Sequence, residues 1–463
     1  MILQWALHLL IGCGIGLWLH PIWILPLVAI QWKTLKKMQG IAFCCLGFVL
    51  TLLASPPLQE GSHQGSGIFR LDSITPANSP FHRSLIMRGA LTAFESDGEH
   101  YQNLPCVIFT KKAPKAAKRY YIEGIYEEGR LKLGKRPIQV AKAGTSIPLI
   151  RFSLKDRVRK WCKRTKDAKV GHFYASMLTG DVDDRLLAME FRNWGLSHVL
   201  AISGFHFALI GLGFGCLIRW TLPSRYREIA LMTVLTGAFL YFGPTASITR
   251  AYVMISLFLL GRKLVRSTDP LQLLGAALLV ELLIHPLHAA EIGFQLSYGA
   301  TFGILAFFSP IKKLVERLFP PRTPEALRHF SLLDQHGYLA LSFIKNGLAL
   351  SLAVHVFTLP LLLYHFGTFP LLSPIFNLFL PALLSLCILG IPLGPINQAF
   401  TRFVLTICSH TPENFNFQWH LPTFPPELAV CLIALLGTLG LTLTGKMSQN
   451  SVFSSHGDRS SVG

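Results

Sequence analysis

Apolar stretches as long as a lipid bilayer is thick recur along most of this chain. A helix that crosses a membrane needs about 20 mostly apolar residues, and stretches near that length occupy residues 1–19 and most of the chain beyond residue 194. Charged residues make up only 14% of the 463 residues, whereas about a quarter of a soluble domain is charged. The sequence excludes a disordered chain, a collagen and an ordinary soluble enzyme. It predicts a polytopic α-helical membrane protein with about ten or eleven transmembrane helices.

Lysines and arginines cluster in the short loops between the apolar stretches, and this orients the chain. Such loops stay on the cytoplasmic side of a membrane. If the basic loop at residues 33–37 is cytoplasmic, residues 56–170 fall outside after the third predicted span. The later basic loops at residues 219–227, 262–266 and 312–328 then also fall on the cytoplasmic side. This agreement supports the predicted orientation.

A basic insert at residues 56–170 interrupts the apolar pattern and carries 22 of the 43 lysines and arginines. Its strand-like runs, separated by turn-forming residues, are 68–74, 84–94, 106–110, 119–126 and 130–140. Five short strands suit a small β-barrel, for which an OB-like barrel is one candidate. The following basic helix at residues 151–170 is either a functional surface or a solvated face beside the membrane. A Gly-, Ser- and Gln-rich stretch before the strands reads as a linker.

Nine cysteines are present, and none of them forms a Cys-x-x-Cys pair. This spacing favours neither a zinc site nor a disulfide framework. Only Cys106 and Cys162 lie in the polar insert, and a bridge between these two is left open.

The densest group of polar residues in apolar surroundings runs from residue 193 to residue 207, with the sequence NWGLSHVLAISGFHF. His198, Ser203 and His206 must each find a partner at membrane depth, and Gly204 allows the helix to break or to pack closely. A broken polar helix is tolerated inside protein or beside a watery cavity. The alternative is a hydrogen-bonded contact between two helices.

Further polar residues interrupt other apolar helices. They are Arg250, Glu281, Gln295, Ser297, His365 and Asn377. An arginine at membrane depth is costly unless it faces a cavity or extends its side chain to the interface, and the sequence names no partner for Glu281. Several polar, broken helices in one bundle predict a pathway rather than a passive anchor.

Four blocks in this order resemble the ComEC competence proteins, the inner-membrane DNA-uptake channels of natural transformation. The blocks are Leu178-Thr-Gly-Asp181 with Gly195-Leu-Ser-His-Val-Leu-Ala-Ile-Ser-Gly-Phe-His206; Arg250-Ala-Tyr-Val-Met254; Asp269-Pro270 with Pro286 and Gly293-Phe-Gln-Leu-Ser-Tyr298; and Tyr364-His-Phe-Gly367 with Asn377 and Pro381. The family also carries an external OB-like domain after its first helices, which matches residues 67–142.

The resemblance implies a domain organisation for the whole chain. The predicted segments are N-terminal transmembrane helices at 1–55, a linker at 56–66, an extracytoplasmic OB-like domain at 67–150, basic or amphipathic connecting helices at 151–194, a competence-type channel domain at 195–444 and a polar tail at 445–463. Many family members continue into a metallo-β-lactamase-like domain, suspected of degrading one DNA strand. No His-x-His-x-Asp-His cluster occurs here, so we expect no nuclease activity, catalytic residue, metal or cofactor.

The resemblance also implies single-stranded DNA as the partner of the basic outer domain. Its candidate DNA-binding residues are Lys111, Lys112, Lys115, Lys118, Arg119, Tyr120 and Tyr121. OB-like folds combine a basic groove with aromatic stacking, worth about 1–3 kcal/mol per base. Strand alternation assigns some of these tyrosines to the core instead.

We therefore expect a multi-pass channel in the bacterial inner membrane, surrounded by membrane lipid, with a DNA path lined by the polar residues His198, Ser203, Gly204, His206, Arg250, Gln295, Ser297, His365 and Asn377. A DNA receptor outside and a cytosolic helicase-type ATPase would be its partners, because the chain carries no energy-coupling motif. Two alternatives stay open. One is a transporter of a small anionic or lipid-linked substrate, and the other is an intramembrane hydrolase with Ser203 as nucleophile.

Overall fold

The computed structural model describes residues 2–18, 37–54, 61–76, 84–96, 99–134, 136, 138–182, 184–200, 204–264, 269–322, 325, 330–409, 418–421 and 423–457. Most of them are helical. The predicted short apolar segment at residues 21–32 and the candidate nucleophile Ser203 lie outside these ranges.

The helices are α1 (Ile2–Trp18), α2 (Lys37–Ala54), α3 (Ile147–Cys162), α4 (Ala168–Thr179), α5 (Arg185–Asn193), α6 (Ser197–Leu200), α7 (Gly204–Thr221), α8 (Ser224–Phe242), α9 (Ala246–Lys263), α10 (Pro270–Ile284), α11 (Ile292–Leu318), α12 (Leu332–Phe366), α13 (Ser373–Leu389), α14 (Pro395–Ser409) and α15 (Pro426–Gly457). The strands are β1 (Ser62–Pro76), β2 (Leu85–Ser96), β3 (Glu99–Tyr101), β4 (Leu104–Thr110), β5 (Ala117–Glu127), β6 (Arg130–Leu133), β7 (Gln139–Ala143), β8 (Thr368–Pro370) and β9 (Gln418–His420).

The chain forms two compact units. The first comprises Met1–Ala54, Thr249–Leu383 and Pro412–Gly463, and the second comprises Ser55–Ile248 and Leu384–Thr411.

Within the described ranges, four helices are long and apolar enough to cross a membrane. They are Gly204–Thr221, Ile292–Leu318, Leu332–Phe366 and the Pro426–Thr444 part of α15. Four shorter apolar helices lie at Ile2–Leu17, Gln39–Ala54, Pro270–Ile284 and Ser373–Leu389. The helices support the assignment to membrane proteins, and the larger number of passes stays a prediction.

The basic insert folds into strands, as the turn pattern predicts. In the described part of the chain it contains a seven-stranded sheet instead of five strands. The predicted run at 130–140 is wrong as a single strand, because β6 ends at Leu133 and β7 begins at Gln139. The backbone N–H of Gly134 donates to the Glu123 carbonyl at 2.8 Å, where the chain leaves the β5–β6 ladder. The short β3 was also not predicted.

Alternating side chains of these strands form one apolar core. Phe69, Leu91 and Ile108 have no exposed surface. Cys106 is buried in the same core, and both Cys106 and Cys162 are free thiols. The bridge between them that the sequence left open is therefore absent. Burial raises the pKa of the Cys106 thiol to about 12, which keeps it protonated and unreactive at neutral pH.

Close helix packing in the first unit depends on small residues. A Cβ added at Gly303 of α11 would lie 2.6 Å from the Ala353 carbonyl oxygen of α12 and 3.3 Å from the Phe357 side chain. Small residues let helix backbones approach, and dispersion contacts then hold a bundle together in lipid. α11 and α12 carry much of the polar site described below.

Polar contacts fix α14 in the second unit. The Tyr174 hydroxyl lies 2.8 Å from Thr401 Oγ1 and accepts a 2.8 Å hydrogen bond from Asn397 Nδ2. Trp194 Nε1 donates to the Cys408 carbonyl at 2.8 Å. These groups are buried, so each bond avoids the cost of an unsatisfied polar atom.

Candidate functional site

A buried polar network in the first unit centres on Glu281 of α10. This side chain is 1% exposed. Its Oε2 accepts a hydrogen bond from the Tyr298 hydroxyl at 2.8 Å, and its Oε1 lies 3.1 Å from His288 Nδ1. A carboxylate among apolar side chains is costly without such partners. The structure thus supplies the partners that sequence analysis could not name, because they come from the next helix and the intervening turn.

Arg250 joins this network from α9. Its Nη1 donates to the Ser297 carbonyl oxygen, and its charge interacts with Tyr298 and Glu281. Three helices, α9, α10 and α11, thus place a cation, a carboxylate and a phenol together. Ser297 contributes its backbone carbonyl to this contact.

Gln295 and His365 form a second contact in the same unit. His365 Nε2 lies 2.7 Å from Gln295 Oε1, and Gln295 Nε2 donates to the Ala289 carbonyl at 2.9 Å. The two predicted residues are brought together although 70 positions separate them in sequence. His365 also lines a cavity of about 420 Å³ with Leu363, Tyr364, Phe366, Gly367, Thr368 and His420.

Asn377 does not join either contact. Its Nδ2 donates to Ser373 Oγ at 3.0 Å within the first turn of its own helix. This bond is local and satisfies only the amide nitrogen, because Asn377 Oδ1 is buried without a hydrogen-bond partner among the described residues.

The remaining candidate path residues belong to the second unit. His198 lies in the short helix α6, and Gly204 is the first residue of α7. His206 is 4% exposed, and its ring meets the Phe242 ring edge-on with centroids 6.2 Å apart. A new helix therefore starts inside the signature segment.

A buried ion-pair cluster in the second unit involves residues of the basic helix for which the sequence left a solvated face open as one interpretation. Asp181 Oδ2 accepts a 3.1 Å hydrogen bond from Arg159 Nη2, and its Oδ1 lies 3.6 Å from Lys155 Nζ. All three side chains are at most 8% exposed. Burial lowers the pKa of Lys155, and the Asp181 carboxylate opposes that shift. The solvated interpretation is wrong for Lys155 and Arg159. The sequence signal for their burial was that Lys155, Arg159 and Cys162 recur at helical spacing on one side of the helix.

The basic cluster of the insert is exposed. Lys111, Lys112, Lys115, Lys118 and Arg119 all face solvent on the loop before β5 and at its start. Lys142 of β7 is exposed directly opposite Arg119 in the ladder. None of these six takes part in an ion pair with another described residue, so the cluster retains its positive charge.

The two tyrosines beside this cluster point to opposite faces of β5. Tyr120 has no exposed surface, and its hydroxyl donates to the Lys115 carbonyl at 2.9 Å, which rules out base stacking on its ring. Tyr121 points to the other face of β5 and is partly exposed, with its hydroxyl 3.2 Å from Glu123 Oε1. Phe109 of β4 is 51% exposed two positions before Lys111. Sequence analysis missed Phe109, although its alternation with the buried Ile108 was a usable signal.

The described ranges contain no group of three or more His, Cys, Asp or Glu side chains that could hold a metal ion. The expectation that the chain uses neither metal nor cofactor stays a prediction.

Known proteins resemble part of this chain. Residues 181–446 match the family model described as competence protein. ComE operon protein 3 of Bacillus subtilis is 28% identical over 230 residues, which cover 48% of this chain and 26% of that protein. Competence protein ComA of Neisseria gonorrhoeae is 28% identical over 273 residues, which cover 54% of this chain and 35% of that protein. The matches thus span about a third or less of these relatives. No solved structure matches the chain.

Proposed function

The chain belongs to the competence protein family, and from this premise we propose that it is an inner-membrane channel for single-stranded DNA during natural transformation. Family membership itself implies a role in DNA uptake for transformation. The channel, its multi-pass course through the inner membrane and its substrate are our proposal.

The observation that carries the proposal is the polar network of the partly buried Arg250 with the buried Tyr298 and Glu281. Every nucleotide brings a negative charge, so DNA cannot follow the lipid face of a helix bundle. A path through the bundle needs polar and cationic groups between the helices. The network lies within the segment that matches the family, and its groups are held by hydrogen bonds from α9, α10 and α11.

The basic insert supplies a second element of the proposal, namely DNA capture outside the membrane. The strands pair in the order β1–β2–β4–β6–β5, and β5 also pairs with β1. The β4–β6 pairing is parallel, whereas the other pairings are antiparallel. This topology supports the proposal of an OB-like domain. Its exposed cations would raise the local concentration of DNA, with a strong dependence on salt.

The partners in this proposal are single-stranded DNA, membrane lipid, a DNA receptor outside and a cytosolic helicase-type ATPase. The ATPase is included because the chain has no nucleotide-binding motif of its own. The proposed function requires no bond to be made or broken by this chain, so it is not an enzyme in this scheme.

The test is the entry of labelled DNA into cells that lack this protein and carry a complementing copy. Arg250→Ala removes the cation from the network, and Arg262→Ala serves as its control because Arg262 is exposed at the other end of α9. We expect the deletion strain and Arg250→Ala to bind DNA outside but to lose its entry, and Arg262→Ala to behave as wild type at equal membrane levels.

Normal DNA entry in the deletion strain would refute the channel. In that case a saturable flux of a small anion into proteoliposomes of the purified chain would favour the transporter alternative.

A further inference from the structure

Helix α3 exposes an apolar stripe on one side. Its exposed members recur with helical spacing and are Ile147 (60% exposed), Ile150 (46%), Leu154 (42%) and Trp161 (53%). At 100° per residue these four positions fall within about 60° of one another around the helix axis. A continuous stripe of this kind marks a surface that something else covers.

The opposite side of α3 explains why this stripe faces outward. Lys155 and Arg159 point into the second unit and pair with Asp181, and Cys162 is buried beside them. Turning the apolar stripe inward would break both ion pairs and expose the buried residues. The two ion pairs with Asp181 therefore fix the rotation of α3 about its axis, and the outward position of the apolar stripe follows from them.

Cations border the stripe along one edge. Arg157, Lys160 and Arg164 are exposed. Of these, Lys160 forms an ion pair with Asp156, with Nζ 2.7 Å from Oδ2. A narrow apolar face with Trp and Leu beside Lys and Arg is the pattern of helices that lie in the plane of a membrane interface. Tryptophan in particular prefers the headgroup region.

The start of α3 is attached to the end of an apolar helix. Arg151 Nε donates to the Leu240 carbonyl at 2.9 Å, in the last turn of α8. Residues 229–242 of α8 are apolar and belong to the spans predicted from the sequence, so a bilayer around that segment would have its surface near this turn. The start of α3 therefore lies at the level of that bilayer surface.

We propose that α3 is an interfacial helix that inserts its apolar stripe between lipid headgroups and binds anionic lipid through Arg157, Lys160 and Arg164. A second copy of the chain is the less suitable occupant, because pairing two stripes would bring two basic edges together. Anionic headgroups complement that edge instead. This inference is independent of the proposed DNA channel.

The test places one nitroxide label on the full-length chain in proteoliposomes, after the exposed Cys45, Cys216 and Cys431 are replaced by serine. Leu154→Cys puts the label on the stripe, and Ser153→Cys puts it on the neighbouring exposed side of the same turn. Collisions with dissolved oxygen report lipid, and collisions with a water-soluble nickel chelate report water. We expect oxygen to dominate at position 154 and the chelate to dominate at position 153.

The preference of α3 for anionic lipid is tested by comparing proteoliposomes of phosphatidylcholine alone with proteoliposomes that also contain phosphatidylglycerol. We expect the label at position 154 to move deeper in the anionic mixture, and Arg157→Glu with Arg164→Glu to abolish this difference. Equal access of the nickel chelate to both positions in both mixtures would overturn the proposal. Dipolar broadening between labels at position 154 of two copies would also overturn it and assign the stripe to self-association. A label at Ile150→Cys repeats the test if Leu154→Cys folds poorly.

Discussion

Replacing Asp181 by asparagine tests the buried ion-pair cluster of the second unit. The carboxylate is the shared partner of Lys155 at 3.6 Å and Arg159 at 3.1 Å, and all three side chains are at most 8% exposed. Asparagine keeps the size of the side chain but removes its charge. Two cations then remain buried, and Asp156, 3.8 Å from Arg159, offers a countercharge to one of them.

The magnitude follows from the burial of these groups. Breaking a buried ion pair by removing one partner costs about 3–5 kcal/mol, because the remaining charge is left uncompensated. We expect Asp181→Asn to lower the free energy of unfolding of the purified chain in detergent by this amount. Denaturant titration followed by tryptophan fluorescence measures it.

Two further variants separate this cause from a general effect of substitution. Asp156→Asn removes a carboxylate that is 33% exposed and lies 2.7 Å from the exposed Lys160, closer than to Arg159 at 3.8 Å, and an exposed pair contributes at most about 1 kcal/mol. Adding Lys155→Met to Asp181→Asn removes one of the two uncompensated charges and should recover part of the lost stability. A loss below about 1 kcal/mol for Asp181→Asn, or no recovery in the double variant, would refute the reasoning.

The other predictions concern the DNA-binding surface, the polar network and pH. Phe109→Ser removes an exposed aromatic ring and should weaken single-stranded DNA binding by about 1–3 kcal/mol in filter-binding assays at fixed salt; unchanged affinity would exclude base stacking there. Tyr298→Phe removes the 2.8 Å hydrogen bond to Glu281 and should cost about 1–3 kcal/mol of stability, because a buried acceptor is left unsatisfied; an unchanged thermal midpoint would contradict this. Burial raises the pKa of Asp167, but hydrogen bonds from backbone N–H groups and Arg402 outweigh it and lower the pKa below 3.8. The stability that Asp167 contributes is therefore present above pH 3.8 and is lost as the pH falls through the lowered value, and Arg402→Ala should reduce this acid-dependent loss in unfolding measured against pH.

The sequence by itself determined the class of protein and the family. Apolar length predicts membrane helices because the thickness of a bilayer is fixed, and the family blocks are readable because they are local. The five strand-like runs were also visible, since alternation and turn residues act over a few positions. Each of them corresponds to strand residues in the structure, although one run proved to be two strands.

Tertiary structure decided which polar residues meet. Glu281 receives its partners from a turn and the next helix, and Lys155 and Arg159 are neutralised by an aspartate more than 20 positions away in sequence. Spacing within one helix gives the relative direction of its side chains but leaves the packed face undetermined. A solvated face therefore stays a plausible interpretation of a basic helix until the acidic partner is located.

The same limit explains the error at Tyr120. Tyr120 and Tyr121 are the same residue type and adjacent in sequence, yet Tyr120 lies in the core and Tyr121 points to the outer face. Strand alternation requires that neighbours point to opposite faces, but which neighbour points inward depends on the register of the whole sheet. Register is set by pairing between distant strands, and only the folded chain supplies it.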